Sequence, residues 1–161
     1  MDAAVGIEDL DRFQFGNTPE LANRLVSLVI AGRKTASCWA AINDDKVTQP
    51  GQRWLALDGG GKPVAVIETA SVTRLPFTEV TPAMAALEGE GDLSHAFWAD
   101  AHKQYFTAEG AWRPEMEVFF EIFRLIEVLD DVFARNAPAE VAKEISEAAA
   151  RGFNALSGDK Q

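Results

Sequence analysis

Two β-rich runs, residues 53–58 and 63–73, flank the tetrapeptide Asp58-Gly59-Gly60-Gly61. A connection so short and glycine-rich turns the chain back on itself, so the two runs are read as an antiparallel hairpin. Val64, Val66 and Val72 make the second run the clearest strand of the chain. Thr18-Pro19 and Thr81-Pro82 each join a hydroxyl N-cap to a proline at the first helical position, which starts a helix. After the first, Leu21, Leu25, Leu28 and Val29 follow at helical spacing and Gly32 ends the helix. The second opens a short helix reaching about residue 88, and a glycine-rich loop then leads to a longer helix over residues 93–107. Strands are expected at 35–41 and 116–128. In the latter, Val118, Phe120 and Ile122 alternate with Glu117, Phe119 and Glu121. An amphipathic helix is expected over 138–156, with Val141, Ile145, Ala149 and Phe153 on one stripe. About four strands joined partly by helices predict an α+β domain built on a small mixed β-barrel.

Composition narrows what such a domain can do. With 161 residues, 47% of them hydrophobic, the chain can bury a core without covalent staples. Cys38 is the only cysteine, so no intrachain disulfide forms and a reducing compartment fits. Residues 1–12 carry Asp2, Glu8, Asp9 and Asp11 and lack the apolar stretch of a signal peptide, and no apolar run approaches the length of a membrane span. A cytoplasmic protein is expected, with no membrane partner. The net charge of −10 excludes a protein that coats nucleic acid by bulk attraction, so RNA would have to be met by a local basic cleft.

That cleft is sought at Gly32-Arg33-Lys34-Thr35-Ala36-Ser37, where two cations sit at a helix-to-strand junction and two hydroxyls follow. Thr35 and Ser37 share one face of a strand, and Lys34 reaches them only if the backbone turns. The bland alternative is a helix C-terminus whose cations complement the dipole. Glu88-Gly89-Glu90-Gly91-Asp92 offers three carboxylates between two flexible glycines, either as an acid–base group or as a solvated acidic loop. Its spacing fits neither a calcium loop nor a phosphate loop. Trp98, His102, Tyr105 and Phe106 lie on one helix stripe. His95 and His102 are on similar faces, but no third metal ligand is specified, and core aromatics around a hydrogen-bonded histidine are the commoner outcome. Trp39 and Trp54 are core or base-stacking residues. Cys38 points away from Ser37, inward, without assigned chemistry. No metal or cofactor is expected.

Gly32-Arg33-Lys34-Thr35, Pro50-Gly51, Val66-Ile67-Glu68, Pro76-Phe77-Thr78-Glu79-Val80, Glu88-Gly89-Glu90-Gly91-Asp92 and Trp98-x-x-x-His102 occur in a characteristic order. In this order the chain resembles the ASCH domain family, in its larger bacterial branch. The resemblance implies a PUA-like fold, a small mixed β-barrel with flanking helices and a cleft, and an association with RNA. It divides the chain into an ASCH domain over 1–131 and a C-terminal helical extension over 132–161. A smaller bacterial relative hydrolyses N4-acetylcytidine with a lysine, a threonine three residues later and a glutamate. These fall on Lys34, Ser37 and Glu88, with the lysine, its pKa lowered by burial, taking the hydroxyl proton, Ser37 attacking the acyl carbon and Glu88 orienting the lysine or moving a proton. Larger members are linked to cleavage of single-stranded RNA. There Arg33 and Lys34 would hold phosphate and Trp39 or Trp98 would stack a base, and Thr35, Asp92 and His102 complete the implied binding set. Three functions follow: a hydrolase of single-stranded RNA or of an N4-acetylcytidine-type nucleoside, a non-catalytic RNA-binding module, and an interaction protein that dimerises through its C-terminal helix. Truncation of that helix is expected to spare the site, and replacement of Lys34 by alanine to spare the fold.

Overall fold

A computed structural model describes residues 6–42 and 47–153. In chain order the elements are β1 (Asp11–Phe13), α1 (Pro19–Ile30), β2 (Ala36–Ala40), β3 (Arg53–Leu57), β4 (Pro63–Pro76), α2 (Pro82–Leu87), α3 (His95–Ala108), β5 (Glu117–Val128) and α4 (Asp131–Ala150). The strands form one sheet in the order β1-β3-β4-β5-β2. All pairings are antiparallel except that of β1 with β3. The architecture is α+β as expected. The sheet is open, however, with β1 and β2 as its edges, where a closed barrel was expected.

Local chemistry accounts for the element ends. Thr18 and Thr81 each accept a backbone N–H three residues on, from Leu21 and Met84, and a proline follows each cap. Asp58 Oδ1 accepts from Gly60 and Lys62 N–H, closing the β3–β4 turn. β4 and β5 carry two register shifts along their long pairing, which let so long a ribbon bend.

Two apolar clusters flank the sheet. One joins β2 and β5 to α2 and α3 around Trp98, Phe106 and Phe120; the other joins β3, β4 and β5 to α1 around Val26, Ile67 and Phe123.

The last helix differs from expectation. It begins at Asp131, capped by Asp130, whose side chain accepts from Phe133 N–H, and Pro138 lies inside it. Its covered stripe runs through Phe133, Ala137, Val141, Glu144 and Ala148, while Ile145 is 40% exposed. That stripe faces α1 of the same chain: Arg24 of α1 bonds Glu140, Glu144 and Glu147. Among the described residues, no helix is long and apolar enough to cross a membrane.

Candidate functional site

The turn at the end of α1 sets the site. Gly32 takes φ +84°, and the N–H groups of Arg33 and Lys34 both return to Leu28 O, at 2.9 and 3.0 Å. Thr35 then ties the chain to the end of α2, its N–H and hydroxyl both donating to Leu87 O, at 2.8 and 3.1 Å. This bend carries the Lys34 side chain inward, where it is 2% exposed. The acidic loop closes over it. A Cβ on Gly89, which takes φ +72°, would lie 2.3 Å from Arg33 O, so only glycine permits the approach.

Neither cation is left without partners. The Arg33 guanidinium donates to Gly89 O (2.8 Å) and Gly91 O (2.7 Å) and so clamps the acidic loop. The Lys34 ammonium lies 3.2 Å from Glu88 Oε1 and 2.7 Å from Glu90 Oε2. Glu88 is the hub of this cluster. Its Oε2 accepts from Trp98 Nε1 at 2.8 Å, and its Oε1 also lies 3.3 Å from His102 Nε2. His102 Nδ1 sits 2.9 Å from Trp98 O. A carbonyl and an ionised carboxylate both accept, so this geometry favours a ring that carries hydrogen on both nitrogens, the imidazolium form. Two cations thus balance two carboxylates in a buried cluster.

The pKa directions agree with this geometry. Burial alone would lower Lys34, but Glu90 and Glu88 outweigh it and raise its pKa. The expected lowering is not found, because the two carboxylates favour the ammonium form of Lys34. Burial would raise Glu88, but the charges of His102 and Lys34 hold it well below its usual range. His102 is raised, with Glu88 overcoming its burial. Burial pushes the Cys38 thiol well up, so it is no thiolate at neutral pH. Cys38 Sγ, a Glu88 oxygen and a His102 nitrogen all lie within 4.8 Å of one another. Glu88 Oε1 already bonds the Lys34 ammonium.

Beside this cluster lies a cavity of about 410 Å³. Phe13, Phe15, Trp39, Trp54 and Tyr105 supply aromatic walls, and Ser37, His102 and Lys34 contribute polar groups. Glu88, Glu90, Glu109 and Glu121 also face it. Of the residues singled out in the sequence, Lys34, Ser37, Glu88, Trp39 and His102 line the cavity; Arg33, Thr35, Asp92 and Trp98 do not. Asp92 accepts from the N–H of Ser94, the residue that caps α3, and Trp98 stands behind Glu88. His95 is turned away onto Val80 O.

Sequence reasoning named Glu90 within the acidic loop but gave it no role of its own; it makes the shortest contact to Lys34. Glu121, the cross-strand partner of Ser37, was missed. The signal for Glu121 was a carboxylate inside an aromatic strand, read there only as part of an alternation.

A family model described as the ASCH domain matches residues 11–127. The chain belongs to the ASCH domain family. Two solved structures are similar: a protein from Enterococcus faecalis V583, with 30% identity over 74% of this chain and 82% of that one, TM-score 0.67; and an ASCH domain from Lactobacillus crispatus JV V101, with 29% identity over 76% and 87%, TM-score 0.68. Among curated proteins, none matches the chain. The fold of this ASCH domain is PUA-like, with the sheet left open. The matched residues contain every lining residue of the cavity, whereas α4 lies beyond them. Even so, α4 reaches the site of the ASCH domain, because Glu144 Oε2 accepts from Gly91 N–H at 2.7 Å.

Proposed function

We propose that this ASCH protein binds one nucleoside in the cavity and hydrolyses an acyl-amide bond on its base. One observation carries the reading: Lys34 is charge-paired with Glu88 and Glu90 and Arg33 is spent on the Gly89 and Gly91 carbonyls outside the lining, while Glu109 and Glu121 add carboxylates to an aromatic-walled cavity. Such a lining repels a phosphate and suits a flat, neutral ring that stacks. At about 410 Å³ the cavity lies at the small end of ligand pockets, which run to about 1,000 Å³, and suits one nucleoside better than a strand. The association of the family with RNA supplies the nucleoside, and the likeness of Lys34, Ser37 and Glu88 to a lysine–hydroxyl–glutamate set supplies the chemistry. Ser37 is the nucleophile. The Lys34 ammonium, fixed by Glu88 and Glu90, places positive charge where the acyl oxygen becomes negative.

Melting shifts and turnover test this. N4-acetylcytidine should stabilise the protein more than its 5′-monophosphate does, and incubation should release cytidine and acetate. Cleavage of single-stranded RNA with the amide left intact would instead establish the ribonuclease reading. Neither ligand shift nor turnover of any kind would leave a protein-interaction module.

A further inference from the structure

With Lys34 held as an ammonium, Glu88 engaged at both oxygens and Glu90 paired with Lys34, the reading above lacks a base. The sheet supplies one. Ser37 and Glu121 are directly paired in the β2–β5 register, so their side chains leave the same face. Cβ atoms in such a pair stand about 4.5–5.5 Å apart, within reach of a carboxylate for a hydroxyl. Both residues line the cavity.

Glu121 is only 8% exposed, and its one hydrogen bond is accepted by Oε2 from Thr69 Oγ1 at 2.7 Å. Oε1 has no hydrogen-bond partner among the described residues. Thr69 Oγ1 is in turn 2.8 Å from Thr48 Oγ1, which accepts from Trp54 Nε1 at 2.8 Å. An indole N–H can only donate. When Glu121 is ionised, Thr69 donates to Oε2 and so is an acceptor towards Thr48, whose hydroxyl hydrogen is shared between Thr69 at 2.8 Å and Gln52 Oε1 at 3.3 Å. Oε2 is fixed as an acceptor and Oε1 is left for the cavity.

We propose that Glu121 is the acid–base residue of this cavity, exchanging a proton between Oε1 and the Ser37 hydroxyl. The inference rests on the amidohydrolase reading. As Ser37 Oγ bonds to the acyl carbon, its proton passes to Oε1 and the carbonyl π pair moves onto oxygen. When the oxyanion re-forms the carbonyl, the C–N bond breaks and the leaving nitrogen takes the proton from Oε1. Water then attacks the acyl-serine and gives a proton to Oε1. The carbon–Oγ bond breaks, and that proton returns to Oγ. The net change is amide plus water to acid plus amine, with Glu121 and Ser37 restored. Burial raises the pKa of Glu121 against the opposing pull of Thr69 and Lys34, which brings it nearer the neutral pH at which a base is most effective. The other titratable groups facing this space are Lys34, Cys38, Glu88, Glu90, His102, Tyr105 and Glu109.

The test compares wild type, Glu121→Gln and Thr69→Val on N4-acetylcytidine, with melting curves to confirm folding. Glu121→Gln should bind the nucleoside within about 3-fold of wild type and lose at least about 100-fold in kcat, the usual worth of a positioned acid–base group. Its residual rate should lack the acid limb of the wild-type pH profile. Thr69→Val removes only the donor to Oε2, and should move that limb to higher pH. Near-wild-type turnover by Glu121→Gln, or an acid limb unmoved in Thr69→Val, overturns the role of Glu121 while the amidohydrolase reading stands. Loss of binding by a folded Glu121→Gln makes Glu121 a ligand contact and overturns it too. A wild-type protein that hydrolyses no acylated nucleoside defeats the reading itself, and the proposal with it.

Discussion

Lys34 is more than a site residue, because a carboxylate left without its ammonium in the buried cluster is a cost to the whole fold. Glu88 is 1% exposed and would lose one of two compensating cations. Lys34→Ala should therefore lower the unfolding free energy by about 3–5 kcal/mol, the usual cost of breaking a buried pair from one side. Chemical denaturation measures this; a loss near zero would mean that the cluster rearranges freely. The expectation that this change spares the fold does not survive the ion pairs at 3.2 and 2.7 Å. Acid should act at the same place. The folded pKa of Glu88 lies below its ordinary 4.5. Its contribution is thus present above that value and is lost as pH falls through the folded one. Glu88→Gln should flatten stability-versus-pH in that acid window, measured as denaturation midpoints from pH 5 downwards. His102 behaves oppositely: raised above 6.5, it stabilises at lower pH and ceases to as pH rises through its folded value. At Ser37, alanine should abolish amide turnover and threonine keep part of it. Thr35 cannot stand in, since its hydroxyl is committed to Leu87 O.

At the scale of elements, α4 is part of the site's support. Glu144 bridges Arg24 and the N–H of Gly91, so α4, α1 and the acidic loop are tied at one carboxylate. Glu144→Ala should cost about 1–3 kcal/mol by stranding the Gly91 N–H, Arg24 keeping Glu140 and Glu147, and should weaken nucleoside binding through the loop. Unchanged affinity in that variant, by calorimetry, would show the loop holds itself. The tie was not legible in the sequence, where Pro138 read as a helix start and shifted the apolar stripe. Asp130, the true cap, was passed over. The capped starts at Thr18 and Thr81 and the turn at Asp58 were legible because each depends on neighbours a few residues apart. β1 was not, since three residues show no periodicity, and the open sheet was not, since closure depends on pairing between distant strands. The same divide runs through the site. Lys34, Ser37 and Glu88 stood out by local pattern. Glu90 was decided by the turns at Gly89 and Gly91, and Glu121 by its register with Ser37.

For the molecule as a whole, a net charge of −10 with its central lysine neutralised means that RNA is met at a few phosphates at most. If a strand binds, the slope of log affinity against log salt should be about −3 or shallower, at roughly −0.7 per phosphate for single strands. A slope near −7 would require a basic track on this acidic surface. The longest strand pairing, β4 with β5, has a consequence of another kind. Its two partners are separated in sequence by the segment that carries α2, α3 and the acidic loop. The ribbon cannot zip from a tight turn, as β3–β4 can; the ends of a long loop must first meet, and that entropy is lost before any contact repays it. Refolding should therefore fall among the slow, non-local topologies, in milliseconds to seconds. Glu88 and Glu121 take their places around Lys34 and Ser37 only when that search has ended, so catalytic competence should return no faster than the ribbon closes.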